Sequence, residues 1–410
     1  MRQRLVALTV LSLCLLVILP ACSGDGGDKT PAIPLTPTII VSQTTLTATP
    51  TSVKSPVKIG AVAPWSGSMA MTGFLADQIM AVVEDQVKNM GGILGGRQIK
   101  FIRGDDRGVV AESAAQAEKL ILDDKVSALT LGGVSAAHIN AVADIAEELK
   151  VPFIGFATLY NAAARKYSAC LYFGPIVRAQ NANFITNLLK PKTVAFLGYS
   201  PGDGREVLEG LNGKIAGQDQ SVTKGIDIVY EQYFSPGTLD FTPYLTKIKY
   251  VNPDLVVMDI NTTEVAVTIN KQIMELGGWG GMKVYYATEV NSGKSVASMP
   301  AAVGTYTALM WLQGSNDPGM KAFEDAYQQK YGRLPSPEVS YFYNCFWVAI
   351  KAIELAGTDD PGKVAEALRS GDLVWESAWG HMRIGTDGTG QIKSMVAQVQ
   401  EGGKLVKVSP

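Results

Sequence analysis

The stretch Gly132 to Asn161, "GGVSAAHINAVADIAEELKVPFIGFATLYN", decides the fold. Two apolar runs stop at small polar residues, the first at Ser135 and the second at Thr158. Between them the apolar positions recur with helical spacing, which predicts a helix over Ala137 to Lys150. A strand end, a helix and a second strand in this order form one unit of a parallel sheet wrapped by helices.

The same alternation extends in both directions. Upstream, "VKIGAVAP" is a buried strand, Gly73 to Met90 a helix that stops at Gly91 and Gly92, "RQIKFIRGDD" a strand, Val110 to Asp124 a helix and "VSALTLGG" a strand. Downstream a second series begins. Ala179 to Leu189 is helical, "KTVAFLGYS" a strand, Arg205 to Ile215 helical and "GIDIVYEQYF" a strand. Tyr244 to Tyr250, "PDLVVMDI", Glu264 to Leu276 and "MKVYYATEV" continue it. Two series of similar length predict two similar α/β lobes. Asp317 to Tyr331, Ser340 to Ala356 and Pro361 to Ser370 add helices, and the end from Trp375 reads as β-structure and turns.

The chain has 410 residues, room for two domains, and a net charge of −2. Without a basic excess, nucleic acid is not an expected partner. The opening "MRQRLVALTVLSLCLLVILPAC" places Arg2 and Arg4 before an apolar run that ends at small residues, the pattern of an export leader over residues 1–21. Leu19-Pro20-Ala21-Cys22 resembles a bacterial lipobox, which implies cleavage before Cys22 and lipid on its thiol. Residues 22–55 are rich in Thr, Pro and Ser and lack periodicity. They read as a disordered tether reaching up to about 100 Å when extended. Cys170 and Cys345 remain, able to pair in an oxidising compartment or to stay as isolated buried thiols.

In open α/β sheets ligands sit beyond the C-terminal ends of the strands. Ser135 follows one strand and stands before a helix; Ala157 and Thr158 follow the next. Small residues there admit a ligand close to the backbone, and free N–H groups at a helix start attract an anion such as a carboxylate. Plain capping and turn chemistry accounts for the same residues equally well. Glu289 follows the strand "KVYYAT" and offers an acceptor for a ligand ammonium group, or is an exposed loop acid. Trp65 and Tyr199, also at strand ends, offer apolar pocket walls as readily as core or rim packing.

Other motifs carry less. "GYSPG", Gly198 to Gly202, has the form of a nucleophile elbow at Ser200, but Pro201 lacks the N–H that the oxyanion hole needs. "TEVNSGKS", Thr288 to Ser295, misses the first glycine of a P-loop. No His- or Cys-rich metal pattern and no G-x-G-x-x-G fingerprint occurs, so neither metal nor cofactor is expected. His138 and His381 read as helix or surface residues.

Several segments resemble the leucine/isoleucine/valine-binding protein family of ABC importer receptors. They are "IGAVAPWSGSMAMTG", "VKNMGGILGGRQIKFIRGDDRG", "HMRIGTDGTGQ" and, above all, "NDPGMKAFEDAYQQKYGRLPSPEVSYFYNCFWVAIKAIELAG". The resemblance implies a type I periplasmic-binding architecture with three crossovers between lobes. Lobe 1 would comprise residues 56–177 and 302–394, lobe 2 residues 178–301 and 395–410. It implies a carboxylate site at Ser135 or Ala136 and at Ala157-Thr158, and an ammonium partner at Glu289. Aromatic residues that the family places near Asp203 and near Asn261 or Thr262 are absent, and a first-loop Trp is replaced near Thr72. The ligand implied is therefore a more polar amino acid, or another small amide or acid. The expected protein is a monomeric, lipid-anchored receptor outside the cytoplasm that catalyses nothing and serves an ABC permease. A sensing subunit of a signalling system and an exported hydrolase are the alternatives.

Overall fold

The computed structural model describes residues 54–409 except 158, 172–179, 181, 200–225, 236 and 261. Strands β1 (Val57–Ala63), β2 (Ile99–Asp105), β3 (Ala128–Leu131), β4 (Phe153–Gly155) and β5 (Ser168–Cys170) form a five-stranded sheet in the order β2-β1-β3-β4-β5. All four pairings are parallel, with Val57 opposite Ile99 and Ile59 opposite Ala128. β1 is buried at nearly every position, as a strand covered on both faces must be.

Helices α1 (Ala70–Asn89), α2 (Val110–Leu122) and α3 (Ala136–Leu149) are the crossovers. α2 and α3 cover one face through Ala117, Leu120, Ile139 and Val142. The other face packs on α1 and on helices from far along the chain, which share one apolar cluster with β1 and β3.

The second sheet is built from β6 (Thr193–Tyr199), β7 (Asp227–Phe234), β8 (Leu255–Asp259), β9 (Lys283–Tyr286) and β10 (Tyr306–Leu309). Its seven-stranded order is β15-β14-β10-β9-β8-β6-β7, where β14 is Met395–Val399 and β15 is Leu405–Ser409. β6 to β10 run parallel, whereas β14 and β15 add antiparallel at the edge. Helices α4 (Thr242–Val251) and α5 (Thr263–Glu275) cover one face through Leu245, Ile248, Ile269 and Ile273. Phe184, Tyr285 and Val396 lie in the cluster on the other face.

β10 pairs with β9 and β14, so the chain leaves the second sheet after Leu309. It then forms α6 (Pro318–Tyr331), α7 (Pro337–Ala356) and α8 (Pro361–Arg369), followed by a small antiparallel sheet of β11 (Val374–Ser377), β12 (Gly380–Ile384) and β13 (Gly390–Gln391). α7 is the central helix of the first lobe. It is buried almost all round from Phe342 to Ile353 and packs on α1, β3 and β4.

Most expected elements are present within two or three residues of their reading. β5 and β10 were not anticipated. With three and four residues, each is too short to show an alternation. The expected helix Arg205 to Ile215 lies outside the described residues, as do the leader and nearly all of the tether.

Candidate ligand site at the facing strand ends

The C-terminal ends of both parallel sheets carry the candidate site. In the first lobe the chain leaves β3 through Leu131, Gly132 and Gly133, all with positive φ (73°, 86° and 88°). A side chain on Gly133 would meet the His138 Cβ at 2.5 Å and Asp106 Oδ2 at 2.8 Å, so only glycine fits this close turn. The N–H groups of Gly132 and Gly133 both donate to the Val62 carbonyl, at 3.1 and 2.9 Å.

The turn delivers Ser135 to the N-cap of α3 in extended conformation (φ −149°, ψ 167°), and its side chain makes no cap bond. Its Oγ lies instead 2.7 Å from Nδ1 of His138. The first N–H groups of α3 therefore have no partner in Ser135 and remain positioned for an anion. His138 is a helix residue, as expected, but a buried one.

Ala136 and the loop after β4 share one edge. Asn140 donates to the Ala136 carbonyl at 2.7 Å and accepts from the Tyr160 N–H at 2.9 Å. Phe156 and Ala157 are half-buried between these points. Thr158 lies outside the described residues.

Trp65 is half-buried against α1. Its indole N–H donates to Asp77 at 2.8 Å, and the Arg103 guanidinium sits 5.8 Å from the ring. Gly73 makes room for it, since a Cβ there would lie 2.8 Å from the Trp65 Cγ and 2.5 Å from the Pro64 carbonyl. The Trp65 loop is held by Asp105, whose carboxylate accepts from the N–H groups of Trp65 (2.8 Å), Ser66 (3.2 Å) and Arg107 (3.1 Å) and from the Ser66 hydroxyl (2.6 Å). Partial burial alone raises the Asp105 pKa, but the donors from Ser66, Arg107 and Trp65 outweigh it and hold the carboxyl below its ordinary range.

In the second lobe Tyr199 ends β6, with its ring edge-on to Phe234 at 5.7 Å. Buried Asp259 ends β8 beside Gly198 and is a strand-end acid that pattern reading passed over. Thr288 leaves β9 with its hydroxyl on the Ile260 carbonyl, and Glu289 opens a short 3-10 turn. Asp203, Asn261 and the Ser200 elbow lie outside the described residues.

Glu289 and the first lobe meet directly. The Tyr341 hydroxyl, on α7, donates to Glu289 Oε1 at 2.9 Å. The Tyr341 ring stands edge-on to Phe156 (6.5 Å, 79°) and to Trp379 (4.6 Å, 77°). The carboxylate of the second lobe thus reaches the aromatic group that adjoins Ala157. Tyr341 escaped sequence reading because "SYFYNCFW" reads as one more buried helix face; the strand-end rule points to loops, not to a helix packed behind them. Among the described residues no group of His, Cys, Asp and Glu could hold a metal ion.

Two α/β lobes with facing strand ends, crossed by the chain at three places, define a two-lobed solute receptor of type I periplasmic-binding architecture. A family profile described as periplasmic binding protein matches residues 56–404, and the chain belongs to that family. It is 23% identical over 393 residues to a Leu/Ile/Val-binding protein homolog 7 of Brucella abortus (strain 2308), covering 91% of this chain and 96% of the relative. The fold matches that of the branched-chain amino acid transporter substrate binding protein LivJ of Streptococcus pneumoniae in complex with isoleucine (TM-score 0.69, 21% identity, 87% of this chain, 100% of the other). It also matches a solute binding protein of an ABC transporter from Rhodopseudomonas palustris BisB5 in complex with 3,4-dihydroxybenzoic acid (TM-score 0.70, 22% identity, 87% and 96%). The chain is a solute-binding protein and not an enzyme, and its family places it outside the cytoplasm. No helix among the described residues is long and apolar enough to cross a membrane.

Proposed function

We propose that this protein is a lipid-anchored receptor of an ABC importer, which binds an amino acid or a similar small acid or amide between its lobes and delivers it to a permease. The ligand carboxylate lies at the α3 start, Ser135-Ala136, and at Ala157-Thr158. The ligand ammonium meets Glu289. Trp65, Tyr199 and Asp203 belong to the surroundings of the cleft. Cys22 carries the lipid, the tether spans to the folded part, and the receptor acts as a monomer. Closure is driven only to the extent that the ligand binds the closed form better than the open one.

The observation that carries this reading is the 2.9 Å bond from Tyr341 of the first lobe to Glu289 of the second, beside Phe156 and Ala157. It supports an acid from one lobe and an anion site from the other lying within the span of one small molecule. The test is a thermal-shift screen against amino acids, aromatic acids and short amides, followed by calorimetry on the hits. An amino acid that raises the unfolding midpoint and binds calorimetrically supports the reading; no response to any amino acid would refute it.

The edge-on rings of Phe156, Tyr341 and Trp379 favour a second reading, an aromatic acid. It predicts hits among hydroxybenzoates that outrank every amino acid in the same screen.

A further inference from the structure

Tyr341 and Glu289 are each fixed within their own lobe. The Tyr341 ring is held edge-on by Phe156 and Trp379. Trp379 is 2% exposed, and its indole N–H donates to the Ser340 hydroxyl at 2.8 Å, next to Tyr341 on the same helix. The Tyr341 side chain therefore has no room to swing without giving up two ring contacts. Across the cleft, the Glu289 carbonyl accepts from the Ser292 N–H (2.9 Å) and the Ser292 hydroxyl (2.6 Å), which locks the 3-10 turn. The Thr307 hydroxyl donates to the preceding carbonyl, that of Thr288, at 3.0 Å. With both ends anchored, movement of one lobe against the other is the motion that breaks the 2.9 Å bond between them.

We propose that Tyr341 is a positioning residue that sets the balance between the apposed and the separated lobes, acting through Glu289. An O–H donating to an ionised carboxylate is among the stronger hydrogen bonds, and it is made only when the lobes are together. Its loss lowers the ratio of apposed to separated forms by a factor of about 10 to 100. Every ligand that needs the apposed form then loses affinity by the same factor, because what changes is the population of that form. This second consequence rests on the cleft being the ligand site; the first does not.

The experiment uses the full chain with spin labels at Met71 and Glu264, both exposed and on opposite rims of the cleft, and reads their separation by pulsed dipolar spectroscopy without added small molecule. Tyr341→Phe keeps the ring and removes the donor, so the distance distribution should gain a longer component. Glu289→Gln keeps an acceptor for the Tyr341 hydroxyl and should gain less of it. Calorimetry of Tyr341→Phe with the amino acids or hydroxybenzoates that bind the wild type should show one common loss of about 10- to 100-fold. An unchanged distance distribution in Tyr341→Phe overturns the inference, whatever the affinities do. Losses that differ between ligands by more than a few-fold overturn it too, by making Tyr341 a ligand contact. A longer distance with unchanged affinities upholds Tyr341 as the closure residue and rejects the cleft as the ligand site.

Discussion

Ser135 Oγ lies 2.7 Å from Nδ1 of His138, one helical turn along α3, and not on a backbone N–H of that helix. A residue in a capping position has thus given its hydroxyl to a buried ring. The His138 ring is 7% exposed, and its Nε2 has no hydrogen-bond partner among the described residues. The bond to Ser135 is therefore the ring's polar anchor.

A double-mutant cycle of Ser135→Ala and His138→Ala should show a coupling of about 1 kcal/mol in denaturant unfolding. A conventional cap would leave the two substitutions additive. His138→Ala alone should cost about 1–3 kcal/mol, since it also opens a space in a packed site.

The two cysteines are expected to stay reduced. Cys170 belongs to the cluster on the α2 and α3 face of the first sheet, Cys345 to the cluster on the α7 face, and the sheet stands between them. Both are free thiols in the fold. Burial pushes the Cys170 thiol up to about 11 and the Cys345 thiol well above its ordinary value. In the folded protein neither should react with a thiol reagent at neutral pH over minutes, and both should react once it is unfolded. Mass spectrometry showing a Cys170–Cys345 bridge would contradict this.

Asp105 gives a pH dependence with a definite sign. Its folded pKa lies below the ordinary value of 3.8, so the stabilisation it confers is complete at neutral pH. That stabilisation is lost as pH falls from the ordinary value through the lowered one. Asp105→Asn should therefore lower the unfolding midpoint at pH 7 and flatten the loss of stability below about pH 4. Parallel curves for variant and wild type would show that the Asp105 carboxylate does not hold the Trp65 loop.

The alternating architecture was legible from the apolar runs because strands covered on both faces leave uninterrupted stretches such as "VKIGAVA". Helix positions followed from apolar spacing and from terminators such as Gly91, Gly332 and Gly357. The antiparallel addition of β14 and β15 was not legible, because pairing partners at a sheet edge are chosen by tertiary contacts. Of the candidate site, Ser135 and Glu289 were visible as strand-end residues. Tyr341 was not, since its role depends on a helix brought alongside the cleft by contacts more than a hundred residues away in sequence. The left-handed backbone of Leu131 was likewise hidden, because no residue type announces strain that the surrounding packing imposes.

The central claim is that Glu289 meets a cation carried by the ligand. The measurement is calorimetric affinity of wild type, Glu289→Ala and Glu289→Gln for the amino acid found by screening and for the same molecule lacking its amino group. Removing one partner of a buried charged pair costs about 2–5 kcal/mol, a loss of roughly 30-fold to several thousand-fold. Glu289→Ala should lose that much for the amino acid, lose less in Glu289→Gln, and leave the weak affinity for the deaminated acid unchanged or improved, with unfolding midpoints close to the wild type. Wild-type affinity for the amino acid in both variants would contradict the account.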